Sequence, residues 1–319
     1  MTKLTPKNLR AETVLNLIGN TPLLPLRFEP EGLAILAKCE FVNPSGSVKD
    51  RLAKHVLLDA ESRGAIRPGS IILECTSGNT GISLAMVGAA MGYPVVILMS
   101  SSASEERRRL IRQLGGEVRL FDRAATYQVG IDISKRMAEE NPRYFLPRQF
   151  ENPINIAEHE LTTGQEILRQ AGGRIDVFVH GYGTGGTLAG CGKAIKKVWP
   201  NAKIMAMEPG DETLMCGECP CCHRIEGIAN GYVPPLLQNA PIDDRIKVTG
   251  AEALAMTRRL HREFGLLVGT SSGANVVAAL RAAAEAEPKA TVITLLCDRA
   301  ERYFSTRLFD CPGPERMLD

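Results

Sequence analysis

Short apolar runs alternate along most of this chain with longer stretches of helical periodicity. That alternation calls for parallel strands joined by helical crossovers, because neighbouring parallel strands need a long connection between them. From about residue 70 to 120 the order is an apolar run at 71–73, a turn, a helical stretch at 82–91, the breaker Gly92-Tyr-Pro94, an apolar run at 95–98 and a charged helix at 104–114. The rhythm returns with an apolar run at 177–179, a helix at 188–198, Pro200 and a run at 204–207, and again with a helix at 272–284 before a run at 292–296. The expected fold class is α/β, with two domains, each a mainly parallel twisted sheet flanked by helices. A length of 319 residues suits two cores of ordinary size better than one. Gln149-Phe-Glu-Asn-Pro153 has the chemistry of a boundary, since a residue before proline disfavours helix and polar residues flank it.

Composition narrows the partners. With 44% apolar residues, 23% charged residues and a formal net charge of +2, the chain has neither the charge excess of a nucleic-acid binder nor the low hydrophobicity of disorder. Small, nearly neutral molecules are the expected ligands, with no nucleic acid and no membrane. The first residues lack the basic-then-apolar run of a secretory leader, and no apolar stretch reaches spanning length, so a cytoplasmic location is expected. Nine cysteines in such a chain read mostly as reduced thiols, although four crowd into residues 216–222.

Three polar segments fall where a strand should end and a helix begin. Asn43-Pro-Ser-Gly-Ser-Val-Lys49-Asp-Arg51 puts Lys49 in the first turn of a helix with Val48, Leu52 and Val56 at four-residue spacing, capped by Ser47 or Ser45. There the positive end of the helix dipole lowers the lysine pKa and frees the amine as a nucleophile. An isolated lysine would ordinarily be a solvated surface residue. Thr76-Ser-Gly-Asn-Thr80 aims hydroxyls and backbone N–H groups at a helix start, which suits a carboxylate, though an ordinary helix cap has the same composition. Gly181-Tyr-Gly-Thr-Gly-Gly-Thr187 contains G-x-G-x-x-G, and Glu208 follows at the distance of a ribose-binding acid, so a nicotinamide-dependent dehydrogenase is a rival reading. Thr184 and Thr187 favour instead a single dense phosphate ringed by donors. Together the three segments supply an amine, an anion-binding turn and a phosphate loop, the parts a phosphorylated aldehyde cofactor needs.

These motifs, with Gln149-Phe-x-Asn-Pro153, Thr162-Thr-Gly-x-Glu166 and Ser271-Ser-Gly-Ala274, resemble the cysteine synthases. That family is the β-replacing branch of the fold-type II pyridoxal-phosphate enzymes, tryptophan synthase β-like in fold, and also contains cystathionine β-synthase. The resemblance runs from about residue 12 to 310 with the motifs in the family's order. It implies pyridoxal 5'-phosphate held by Lys49, which later moves the substrate α-proton. It places the phosphate on Gly183, Thr184, Gly185, Gly186 and Thr187, Asn79 at the ring hydroxyl and Ser271 at the pyridine nitrogen. Thr76, Ser77, Asn79, Thr80 and Gln149 would grip the substrate carboxylate. The implied reaction is loss of a β-leaving group from an O-activated L-serine, most simply O-acetylserine, to an aminoacrylate, followed by addition of sulfide to give L-cysteine. Cystathionine β-synthase, cysteine desulfhydrase and O-phosphoserine-using activities belong to the same family. The implied domains are residues 43-150, smaller, with a mobile substrate-closing part, and residues 12-42 plus 151-312, larger and holding the phosphate. A homodimer is implied as well.

The chain departs from the family at several places. Cys216-Gly-Glu-Cys219-Pro-Cys221-Cys222-His223 replaces a Gly/Pro-rich loop; Cys216, Cys219 and Cys222 have the spacing of an iron–sulfur run without its fourth member, and Cys219, Cys222 and His223 offer partial zinc ligation. The alternative is reduced thiols on a loop by the active-site mouth, with no metal, and a non-catalytic metal- or redox-responsive scaffold is a third reading of the chain. Ala229 and Asn230 stand where Gly and Ala are expected, and Ser100-Ser-Ser-Ala-Ser104 replaces a proline-containing loop. His55, His159, His180 and His261 read as structural, the Arg107-Arg-Arg109 run as a solvated helix face, and Trp199 as helix-end packing.

Overall fold

The computed structural model describes residues 13–76, 78–101, 103–122, 127–210, 225–228 and 234–310. An antiparallel pair, β1 (Leu23–Phe28) and β2 (Leu33–Cys39), comes first, followed by helix α1 (Lys49–Ser62). A run of βα steps follows: β3 (Ile71–Cys75), α2 (Asn79–Met91), β4 (Val95–Ser100), α3 (Glu105–Gln113), β5 (Glu117–Phe121), α4 (Tyr127–Glu140) and β6 (Tyr144–Phe145). Then come α5 (Ile154–Leu161), α6 (Thr163–Ala171), β7 (Val177–Gly181), α7 (Gly186–Val198), β8 (Lys203–Pro209), β9 (Asp244–Val248), α8 (Gly250–Phe264), α9 (Thr270–Glu285) and β10 (Val292–Leu296).

Two sheets result. One has the order β5-β4-β3-β6 and is parallel throughout. The other has the order β1-β2-β10-β7-β8-β9, parallel except for its first pair. The molecule is an α/β fold of mainly parallel sheets flanked by helices, as the alternation requires.

Strand periodicity explains why both sheets are covered on both faces. On β7, Phe178 enters one apolar cluster while Val177 and Val179 enter another, and β8 and β10 divide in the same way: Ile204 and Ala206 against Met205 and Met207, Ile293 and Leu295 against Val292 and Leu296. In the four-stranded sheet Val95, Ile97 and Met99 join one cluster, Val96 and Leu98 the other. Helix α2 lies so close to β4 that a Cβ on Gly88 would stand 2.3 Å from Val95 Cγ2. Only glycine permits that approach.

The β1–β2 hairpin has no counterpart in the sequence reading. Pro25 interrupts the strand pattern there, but β1 is the edge of its sheet, where a missing N–H costs nothing in the ladder. Helix α2 also starts earlier than its apolar stripe, at Asn79, because the polar turn itself forms the first helical turn.

Candidate active site

The loops leaving the carboxyl ends of β3, β7 and β10 meet at a cavity of about 510 Å³. In sheets of this kind that crevice is where ligands bind. Lys49, Thr76, Gly78, Asn79, Thr80, Gln149, Gly183, Thr184, Gly185, Thr187 and Ser271 all line it. Gly186 lies behind the lining as the first residue of α7, and Ser77, Cys216, Cys219, Cys222 and His223 fall outside the described residues. Among the described residues no cluster of three His, Cys, Asp or Glu side chains could hold a metal ion, and Cys39, Cys191 and Cys297 are free thiols.

Lys49 opens α1, with its side chain facing the cavity. Burial holds its ammonium below the ordinary lysine pKa, while Asp298 pulls the other way. Desolvation thus joins the helix terminus in depressing its basicity. Neither serine occupies the N-cap position, which belongs to Val48. Ser47 Oγ still accepts from the Lys49 N–H at 3.3 Å, whereas Ser45 turns to Asp50, its N–H 2.7 Å from Asp50 Oδ2. The helix is anchored from below. Arg51, two residues on, donates through Nε and Nη2 to Glu40 at 2.7 and 2.8 Å and through Nη1 and Nη2 to Glu166 at 2.8 and 2.7 Å, and Lys38 Nζ reaches Glu166 Oε2 at 2.6 Å. Burial alone would raise the Glu166 carboxyl, but the Arg51 hydrogen bonds and charge, with Lys38, carry it down to about 2.

The turn after β3 is tied to the residue 149 loop. Thr80 Oγ1 donates to Gln149 Oε1 at 2.6 Å, Gln149 N–H to Glu74 Oε2 at 3.3 Å, and Gly78 N–H to Thr76 Oγ1 at 3.2 Å. Asn79 has partners the sequence did not foretell: its amide donates to Asp298 Oδ2 at 2.7 Å and its carbonyl accepts from Arg302. Asp298 also accepts from the buried Tyr303 hydroxyl, and Arg107 lies over the Tyr303 ring, 5.0 Å from its centroid. Arg107 is therefore no part of a solvated face. It is buried and ion-paired with Glu226, next to the cavity residues Gly227 and Ile228.

After β7 the chain turns through Gly183, Thr184 and Gly185 into α7. Gly185 has φ +90°, and a Cβ there would meet Leu237 Cγ at 2.6 Å; a Cβ on Gly183 would meet the Gly227 carbonyl oxygen at 2.6 Å. Glycine keeps this cradle open. Asn155 on α5, which the sequence reading missed, donates to Gln149 O at 2.8 Å and to Thr184 Oγ1 at 3.0 Å, joining the two turns. His159, read as merely structural, meets Thr187 Oγ1 through Nε2 at 3.0 Å. The signal was present in the sequence: Asn155, Glu158 and His159 are polar residues at i, i+3, i+4, and all three are buried.

The opposite wall carries Ser271 on α9 with His180 and Cys297. Asn275 fixes this wall, accepting from Gly181 N–H at 2.8 Å and donating to Leu295 O and His180 Nδ1, each at 3.0 Å. Burial, and then Lys49, hold His180 down to about 3, so it is neutral; burial pushes the Cys297 thiol up to about 12. Glu208, the would-be ribose acid, accepts from Tyr182 Oη at 2.7 Å and lies 3.4 Å from Arg245 Nε.

Residues 14–298 match the family model described as pyridoxal-phosphate dependent enzyme. The chain belongs to the pyridoxal-phosphate dependent enzymes. Within them it is 43% identical to a cysteine synthase of Staphylococcus aureus over 301 residues, covering 93% of this chain and 97% of that one. A crystal structure of O-ureido-L-serine synthase superposes with a TM-score of 0.88 at 43% identity, covering 96% of this chain and 97% of that one. An O-acetylserine dependent cystathionine beta-synthase from Helicobacter pylori gives a TM-score of 0.88 at 36% identity, covering 93% and 98%. The nicotinamide alternative falls with this match.

The residues present fit pyridoxal phosphate. A glycine cradle with two threonine hydroxyls opens on the N-terminus of a thirteen-residue helix, suited to a phosphate, and an amine of depressed basicity faces the same cavity, suited to an aldehyde.

Proposed function

We propose that the chain replaces the β-substituent of an O-activated L-serine, O-acetylserine foremost, with sulfide to make L-cysteine. One observation carries this reading: the Lys49 amine, the 183–187 loop, and Thr76, Asn79 and Thr80 with Gln149 border a single cavity. The 43% identity to the Staphylococcus aureus cysteine synthase supports it. In this reading Gly183, Thr184, Gly185, Gly186 and Thr187 take the cofactor phosphate, Asn79 the ring hydroxyl, and Ser271 the pyridine nitrogen. Lys49 would hold the aldehyde carbon. Its freed amine, poorly basic because it is buried, then stands ready to take the α-proton. Bound pyridoxal phosphate supplies an electron sink conjugated to that carbon. Thr76, Ser77, Asn79, Thr80 and Gln149 grip the carboxylate, so capture of substrate draws residues 43-150 toward the larger domain, 12-42 plus 151-312, and excludes water.

The test is to mix holoenzyme with O-acetylserine, O-phosphoserine, O-ureidoserine, serine or cysteine, follow the cofactor absorption band, and then ask which nucleophile restores it. A band change with O-acetylserine, reversed by sulfide with release of cysteine, is the expected result. No band change with any donor would overturn the reading. A homodimer and a cytoplasmic setting, implied by the family resemblance, are proposals of the same kind. Among the described residues no helix is long and apolar enough to cross a membrane.

A further inference from the structure

Asn79 is the first residue of α2 and lines the cavity, yet both ends of its amide are held by residues that follow β10, 219 and 223 positions along the chain. Its Nδ2 donates to Asp298 Oδ2 at 2.7 Å, and its Oδ1 accepts from Arg302 Nη1. Its second Nδ2 proton has no partner among the described residues. Asp298 and Arg302 are themselves fixed. They are 1% and 3% exposed, so neither side chain swings into water. Arg302 Nη2 donates to Ser45 O at 2.7 Å, and a Cβ on Gly46 would stand 2.7 Å from that same nitrogen. Gly46, held at φ +87°, leaves the guanidinium its place. Asp298 Oδ2 also accepts from the buried Tyr303 hydroxyl, and the Asp298 carbonyl accepts from Gly269 N–H at 3.1 Å.

An amide has two ends of nearly equal size, so a lone asparagine at a cavity offers a carbonyl as readily as an N–H. Here the choice is closed. A guanidinium has donors and no acceptor, so the end of Asn79 that faces Arg302 is the carbonyl oxygen. The amide nitrogen then faces Asp298, and one of its two protons goes to Oδ2. Half a turn of the amide would set NH₂ against the guanidinium and C=O against an oxygen that already takes the Tyr303 proton, with two hydrogen bonds lost at once. Because Arg302 only donates, the outcome is the same whether or not Asp298 is ionised. The direction matters for a cofactor whose ring oxygen stands next to its aldehyde carbon. An N–H donor stabilises that oxygen as an oxyanion, whereas an amide carbonyl repels it.

We propose that Asp298 and Arg302 are positioning residues that lock the Asn79 amide and turn its remaining N–H to the ring oxygen of pyridoxal phosphate, holding that oxygen ionised. The inference rests on the reading of Asn79 as the partner of the ring oxygen. The clamp spans the two sheets: Asn79 follows β3 of the four-stranded sheet, and Asp298 and Arg302 follow β10 of the six-stranded one. One half of the molecule thus supplies the donor and the other half sets its direction.

Ionised and neutral ring oxygens give bound pyridoxal phosphate different absorption, a visible band for the first and a near-ultraviolet band for the second. The ratio of the two bands therefore reads the Asn79 donor. The experiment measures this ratio in holoenzyme at neutral pH and, separately, titrates each apoenzyme with pyridoxal phosphate. Asn79→Ala removes the donor and sets the scale, with a fall of about tenfold in both readouts, the size of one hydrogen bond to a charged group. Arg302→Met and Asp298→Ala should each lower both by about threefold or more, and Arg302→Lys, which keeps a head that only donates, should recover part of the loss. Added to Asn79→Ala, neither Arg302→Met nor Asp298→Ala should lower them further, because residues that act through one another are not additive. A role in packing alone would leave the band ratio where it was, or lower affinity by the same factor with and without the Asn79 amide, and either result would overturn the proposal. Should Arg302→Met not fold, Asp298→Ala and Arg302→Lys carry the same comparison. The two levels separate cleanly. An unchanged ratio and affinity in Asn79→Ala sinks the ring-oxygen reading itself, whereas a loss there with none in Asp298→Ala and Arg302→Met sinks only the clamp.

Discussion

Lys49 and Gly185 have environments that few other residue types would tolerate. The lysine amine combines burial with the positive end of α1, both of which favour its neutral, nucleophilic form. Borohydride reduction of holoenzyme followed by peptide mapping should therefore place a pyridoxyl adduct at position 49, and Lys49→Ala should lose both the adduct and the yellow colour. Gly185 is held at φ +90° with Leu237 where a side chain would go. Gly185→Ala should cost about 1–3 kcal/mol in backbone strain alone, and the displaced loop should weaken cofactor binding at least about tenfold. Fluorescence titration of the apoenzyme checks this, and unaltered affinity would show that the cradle does not seat the phosphate.

Among the elements, α1 and α3 show how buried charge fixes a helix in place. Arg51 pairs with Glu40 and with Glu166, which it shares with Lys38, in an enclosed network that holds α1, and so Lys49, against the six-stranded sheet side of the molecule. Arg51→Met would leave two carboxylates facing one another with only Lys38 between them. Breaking a buried pair in this way typically costs about 3–5 kcal/mol, which urea unfolding of the apoenzyme would measure. On α3, Arg107 bridges the smaller sheet's layer to Glu226 and Tyr303, and through Tyr303 and Asp298 to Asn79. Arg107→Gln should raise the KM for the serine substrate several-fold more than it lowers kcat, because α3 would lose its hold on the cavity wall without any change to the amine that does the chemistry.

For the molecule as a whole, buried carboxyls and buried histidines set the pH dependence of stability between them. Burial pushes Glu74 up to about 7 and Glu158 up to about 8. Between the ordinary carboxylate range and those values the unfolded chain gives up protons that the folded one keeps, but below about 6.5 His159 and His180, neutral in the fold, take up protons on unfolding and oppose this, so the fall in stability with rising pH belongs to the window from about 6.5 to 8. Thermal unfolding of apoenzyme from pH 6.5 to 8 should show the decline, and Glu74→Gln with Glu158→Gln should flatten it. The alternation of apolar runs and helical stretches made the βα order legible, since parallel strands covered on both faces read as continuous apolar runs, as β7 and β10 do. The three polar segments were legible for a related reason: a strand-to-helix turn that must leave room for a ligand is limited to glycine and short hydroxyl or amide residues. The edge hairpin was not, because Pro25 breaks its local pattern and its pairing comes from β10 far along the chain. Asn155 and His159 showed in their polar helical spacing, but their partners, 29 and 28 residues away, did not, and neither did those of Asn275 and Arg107, 94 and 119 residues away. By itself, then, the sequence determined which backbone turns could form and which groups could do chemistry, because those depend on spacing and residue type. Only the tertiary structure decided which protonation states and hydrogen-bond directions those groups adopt, because burial and the facing charge are set by segments distant in the chain.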